Sequence, residues 1–136
     1  MAIEWTTDLT TGVKEIDTQH KELFKRINGL LEACSIGKGK EEVSKVIHFL
    51  EDYVITHFTA EENYMTKYNY PDYSGHKAQH LYFTENFSQL KKQFETDGPG
   101  VHIVITANRM VVDWLINHIR KVDTALGSFL NTKIQS

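Results

Sequence analysis

With a single cysteine, Cys34, the chain can form no intrachain disulfide and has too little sulfur for a thiolate metal cluster. A metal bound here must be held by nitrogen and oxygen. No stretch approaches the roughly 20 consecutive apolar residues needed to cross a bilayer. The first residues, MAIEWTTDLTTG, have neither the basic nor the apolar segment of a secretion leader. The expected location is therefore the cytoplasm. Neither sign of charge is in excess: 15 Lys and Arg against 18 Asp and Glu give a formal net charge of -3. The two signs are interspersed, so neither a nucleic acid nor a membrane surface is an expected partner. At 136 residues the chain fits one domain, 1–136, with a core of its own.

Only two prolines are present, and with the glycines they divide the chain into helical segments. Asp17 or Thr18 can cap a first helix, near residues 18 to 37, that carries His20, Leu23, Phe24, Ile27, Leu30, Leu31 and Cys34 inward. Gly37 and Gly39 stop it. A second helix, near 40 to 67, places Val43, Ile47, Leu50, Val54, His57, Glu61 and Met65 at steps of three and four. After Pro71 and Gly75 the third, near 75 to 96, carries His76, His80, Phe83, Phe87, Leu90 and Phe94. The fourth, near 101 to 120, turns Val104, Ala107, Val111, Trp114, Leu115 and His118 to one side, and a short terminal helix follows through Leu126, Phe129 and Leu130. Four amphipathic helices joined by short loops predict an all-α, antiparallel up-down-up-down four-helix bundle. An N-terminal arm anchored by Trp5 and Ile16 crosses its outside.

Histidine within an apolar stripe must find partners for its ring nitrogens in a dry interior. Helical residues four apart share a face, so His57 with Glu61, and His76 with His80, each aim two metal-ligand side chains at one point. His20 and His118 occupy the seams of the first and fourth helices, whereas His48 and His102 read as surface residues. Five inward histidines meeting Glu61 are better explained by a metal than by five separate core hydrogen bonds. Asp123 lies five residues after His118, about 140° round an ideal helix. It reaches the same point only if the fourth helix bends or ends between them, and no Gly or Pro marks a bend. Glu62, one helical step from Glu61, reads as a solvated carboxylate, and Cys34 as a buried, inert thiol.

The combination Trp5, Gly12-Val13, Ile16-Asp17, Gln19-His20, His57-Phe58-x-x-Glu61-Glu62, His76-x-x-x-His80 and Trp114-Leu115-x-x-His118-Ile119-x-x-x-Asp123 resembles the hemerythrins, above all the free-standing bacterial ones. The resemblance spans nearly the whole chain and implies a non-haem di-iron centre. His76, His80 and His118 would hold one iron and His20 and His57 the other. Glu61, Asp123 and an oxo or hydroxo group would bridge the pair. Two octahedral irons offer about twelve positions, and this set fills all but one, on the iron with two histidines. Dioxygen is the ligand that the resemblance implies for that position. Azide and other small anions would take it in the ferric form, and an oxygen-consuming protein is the candidate recipient of the oxygen.

Imidazole-rich ligation supports high-valent iron less well than carboxylate-rich ligation, which favours reversible binding over oxidation of a substrate. Leu23, Phe58, Trp114, Leu115 and Ile119 flank the ligands by a helical step and are expected to wall the oxygen pocket. No ligand-free Asp or Glu falls on the seams as a general base, and no catalytic residue is assigned. Oxygen transport, storage or delivery is the expected role. Its competitors are a di-iron oxidase, peroxidase or nitric-oxide reductase, an oxygen or redox sensor, and a structural zinc site.

Overall fold

The structure, a computed structural model, describes residues 3–134. Among them there are helices and turns and no strand. Helix α1 runs over Lys14–Ser35, α2 over Lys40–Lys67 and α3 over Tyr73–Asp97. The fourth helix, α4, is continuous over residues 101–134 but changes its winding. Its α-helical stretches Val101–Ala107, Trp114–His118 and Thr124–Ile134 are joined by π-helical turns at Asn108–Asp113 and Ile119–Asp123, with helical backbone angles at every junction.

Cross-helix contacts fix the directions. Glu15 meets Tyr64 and Gln19 meets His57, so α1 and α2 are antiparallel. Glu62 meets His80 and Glu51 meets Lys91 between α2 and α3. Gln79 meets His118 and Gln93 meets Thr106 between α3 and α4. His20 faces Asp123 at one end of the α1–α4 seam, while Cys34 lies by Gly100 at the other. Every neighbouring pair is antiparallel, as expected of an up-down-up-down bundle. One apolar cluster, including Leu23, Ile27, Leu50, Phe83, Leu90 and Ile103, fills its length. A second, built on Ile16, Met65, Leu126 and Leu130 and rimmed by tyrosines, closes the end beyond the histidines.

The start of α1 and the end of α4 differ from the sequence expectation. Helix α1 starts at Lys14, because Asp17 turns back rather than capping. Its carboxylate accepts from the Thr11 N–H at 2.8 Å, the Thr11 hydroxyl at 2.8 Å and the Gly12 N–H at 3.3 Å, and so fastens the arm. Helix α4 does not stop near residue 120, since with no Pro after Pro99 the terminal apolar pattern continues it. Helix α3 ends where expected, at Gly98, whose φ of 76° glycine adopts without the strain a Cβ would bring.

The arm lies over the α1–α4 seam. The Ile3 N–H donates to the side-chain oxygen of Asn28 and its carbonyl accepts from the Asn28 amide nitrogen, and the carboxylate of Asp8 takes both the Nε and an Nη of Arg120. Trp5 is half-buried on the core with the Lys21 ammonium 4.4 Å above its ring. Ile16 is fully buried, but within α1. The deepest anchor of the arm is Leu9, in a 3-10 turn at Thr7–Leu9, which the sequence pattern did not reveal.

Candidate metal centre

All seven residues marked as candidate ligands converge in the bundle interior, each at most 3% exposed. Helix α1 supplies His20, α2 His57 and Glu61, α3 His76 and His80, and α4 His118 and Asp123. The i, i+4 pairs on α2 and α3 share a face, as helical geometry requires. Asp123 arrives by a different device. The turn Ile119–Asp123 is wound as a π-helix, which takes an extra residue into the turn and brings the fifth residue round towards the face of the first. Asp123 Oδ1 thus lies 3.1 Å from His118 Nε2. The question left open by spacing is answered by winding, with neither Gly nor Pro involved.

The side chains form two groups that share both carboxylates. One comprises His76, His80 and His118 with Glu61 and Asp123, the other His20 and His57 with the same two acids, and within each group the ligand atoms lie within 4.8 Å of one another. Each carboxylate divides its oxygens between them. Glu61 Oε1 faces His80 Nε2 at 3.0 Å and His76 Nε2 at 3.5 Å, while its Oε2 faces His57 at 3.6 Å and His20 at 3.7 Å. Asp123 Oδ1 faces His76 at 3.0 Å, while its Oδ2 faces His20 at 3.0 Å.

These contacts are short, yet none of the five Nε2 atoms and none of the four carboxylate oxygens is hydrogen-bonded. Adjacent ligands of an octahedral ion with bonds of about 2.1 Å stand about 3 Å apart, in line with the shortest of these separations. Buried polar atoms left without partners are costly unless something pairs with them. A nitrogen and oxygen donor set of this kind suits a first-row divalent ion.

Protonation follows the same geometry. Burial disfavours charge on His20 and His76, but Asp123 and Glu61 outweigh it and raise both to about 9. On His57 burial prevails and lowers it to about 4. Burial pushes Asp123 and Glu61 upward, but the surrounding imidazoles hold both below the ordinary carboxylate range. Without metal, two carboxylates are thus balanced by protons on His20 and His76, which an incoming cation would displace.

Three supporting side chains lie behind the histidines. Nδ1 of His57 meets Gln19 Oε1 at 2.7 Å, Nδ1 of His118 meets Gln79 Oε1 at 2.8 Å and Nδ1 of His80 meets Glu62 Oε2 at 3.0 Å. Each supporter sits one residue from a candidate ligand on its own helix and holds a ligand on the next. An Nδ1 proton given to these oxygens leaves Nε2 free to bind metal. Glu62 is therefore not a purely solvated carboxylate, as its position on the helix had indicated: its side chain is 24% exposed and its oxygen is directed at His80. In the sequence Gln19 stands out only within a motif, and nothing there singles out Gln79.

The expected pocket residues belong to the apolar core, and two of them touch candidate ligands. Leu23, Phe58, Leu115 and Ile119 are buried in one cluster, against which Trp114 packs. Phe58 stacks on His80 with ring centres 3.9 Å apart, and Trp114 on His118 at 4.5 Å. His48 is exposed as expected, whereas His102 is half-buried with Nε2 shielded from solvent. Cys34 is buried, and burial pushes its thiol up, away from the reactive thiolate.

The sequence model of the Hemerythrin HHE cation binding domain matches residues 11–130. A bacteriohemerythrin from Methylococcus capsulatus is 38% identical over 128 residues, covering 93% of this chain and 95% of its own length. A hemerythrin-like protein from Naegleria gruberi is 32% identical over 120 residues, 88% of this chain and 86% of its own. The crystal structure of a wild-type hemerythrin superposes with a TM-score of 0.82 and 36% identity over 94% of this chain and 97% of that one.

Proposed function

Because the chain belongs to the hemerythrin family, we propose that its buried centre holds two non-haem irons and binds dioxygen reversibly, for transport, storage or delivery. The observation that carries this reading is the division of both carboxylates between a three-histidine and a two-histidine group. Five donors in one group exceed the four of a structural zinc site. The two-histidine group has one protein donor fewer, and there a small ligand finds room.

In this reading His76, His80 and His118 would hold one iron and His20 and His57 the other, with Glu61 and Asp123 shared between the two positions. When bound, the iron pair supplies the electrons that hold dioxygen. The chain's own contribution is positional. Gln19, Gln79 and Glu62 fix the tautomer and orientation of three imidazoles, while Leu23, Phe58, Trp114, Leu115 and Ile119 keep water and protons away. No helix among the described residues is long and apolar enough to cross a membrane. A cytoplasmic carrier that hands oxygen to another protein is the role proposed.

Adding oxygen to the anaerobically reduced, iron-loaded protein tests the assignment. A visible absorbance that appears with oxygen and leaves when oxygen is removed is expected, and steady oxidation of an added substrate would make the protein an enzyme instead. Azide should shift the visible band of the ferric form. Leu115→Ala, by opening the apolar wall, should speed autoxidation several-fold with two irons still bound, although the cavity itself costs about 2–5 kcal/mol of stability. An unchanged autoxidation rate would remove Leu115 from the pocket.

A further inference from the structure

We propose that Glu62 makes the two metal positions electronically unequal, by placing a negative charge behind one histidine of the three-histidine position. The inference rests on the two-iron reading above.

Of the five buried imidazoles, three have an Nδ1 partner and two, His20 and His76, have none among the described residues. The partners differ in kind. His57 and His118 meet the amide oxygens of Gln19 and Gln79, both neutral, whereas His80 meets a carboxylate. An ionised carboxylate can only accept a hydrogen bond, which fixes the proton on Nδ1 of His80. Hydrogen bonds to a charged acceptor are roughly twice as strong as neutral ones. A carboxylate behind a ligating imidazole draws on its proton and makes the opposite nitrogen a stronger donor.

That extra donation reaches one position only. His80 belongs with His76 and His118, in the group that has the full complement of protein donors. The two-histidine group has an amide behind His57 and, among the described residues, no hydrogen-bond partner for Nδ1 of His20. The filled position is consequently the easier to oxidise, and the position with room for a ligand keeps the less electron-rich surroundings. Glu62 is a positioning residue that acts through His80 and sets which iron gives up its electron more readily. Its side chain lies on the α2–α3 seam, outside the oxygen pocket, so its charge can be changed without opening the apolar wall.

Redox titration of the full-length, iron-loaded chain against mediators tests this. E62Q keeps an acceptor oxygen and removes the charge. It should retain two irons and shift the equilibrium towards the ferrous form by about tenfold, equivalent to about 59 mV for a one-electron couple. Q79E adds a carboxylate behind His118 at the same position and should shift it the other way. If Glu62 only pinned the ring, E62Q would titrate like the wild type while E62A lost iron, and the inference would fall. Should E62Q itself lose iron, Q79E decides: a shift towards the ferric form supports the inference, and no shift overturns it. A wild-type protein without two irons would remove the two-iron reading; two irons with unshifted variants would remove this inference alone.

Discussion

Asp123→Ala is expected to abolish binding of the second metal ion and to leave the first weakly held. Asp123 is the side chain whose two oxygens stand closest to both histidine groups, at 3.0 Å from His76 and from His20. Removing it leaves four protein donors in one group and three in the other. Metal content should fall from about two ions per chain to one or fewer, counting octahedral positions as above. The metal-free protein should suffer as well. His20 and His76 owe their raised proton affinity to Asp123 and Glu61 acting against burial, and removing one partner from a buried charge pair costs about 3–5 kcal/mol. Asp113→Ala is the matched control on α4. Asp113 is exposed, and its loss should alter neither metal content nor melting. If Asp123→Ala retained two ions, the bridging role would be wrong.

Gly127→Ala should be the most damaging small substitution outside the centre. Alanine in place of an exposed helical glycine ordinarily stabilises by about 1 kcal/mol. At Gly127 a Cβ would lie 2.8 Å from the carbonyl carbon of Thr11 and closer still to its oxygen. That neighbour is backbone, held in place by Asp17, so it cannot swing aside as a flexible side chain would. Overpacking of this kind costs about 1–3 kcal/mol, and the sign of the substitution reverses. The arm should loosen, exposing Leu9 and making the first dozen residues accessible to protease. Gly29→Ala, on α1 with nothing within 4 Å of its Cβ, should raise the melting temperature. Equal responses at the two glycines would show that the arm does not seal the seam.

Much of the centre was legible in the chain itself. His57 with Glu61 and His76 with His80 declare themselves because residues four apart must share a helical face. Even so, the reading of the residues left Asp123 open, and only the family resemblance brought it in. Its placement depends on a π-turn, and nothing in Ile119–Asp123 distinguishes that winding from an ordinary α-turn. Glu62 was misjudged for a related reason. A step of about 100° round a helix turns a residue away from one neighbour and towards another, and helical periodicity on one strand of sequence does not say which helix stands there. Gln79 shows the same limit, since its partner His118 lies 39 positions away. The start of α1 was misplaced because Asp17, a good capping residue by type, satisfies the backbone of the arm instead.

The supporting side chains also show how the bundle and the centre depend on each other. Gln19 joins α1 to α2, Glu62 joins α2 to α3 and Gln79 joins α3 to α4, each through a histidine of the centre. Helix packing therefore sets the imidazole orientations, and bound metal would in turn cross-link all four helices. Strong stabilisation on metal loading follows, since binding to the folded state alone adds to its stability.

The most direct test of the central claim is a metal count on protein purified from iron-replete cells, combined with the melting temperature before and after chelation. Two irons per chain, and a lower melting temperature once they are removed, are the expected results. One iron per chain, or zinc alone, would contradict a centre in which Glu61 and Asp123 bridge two ions.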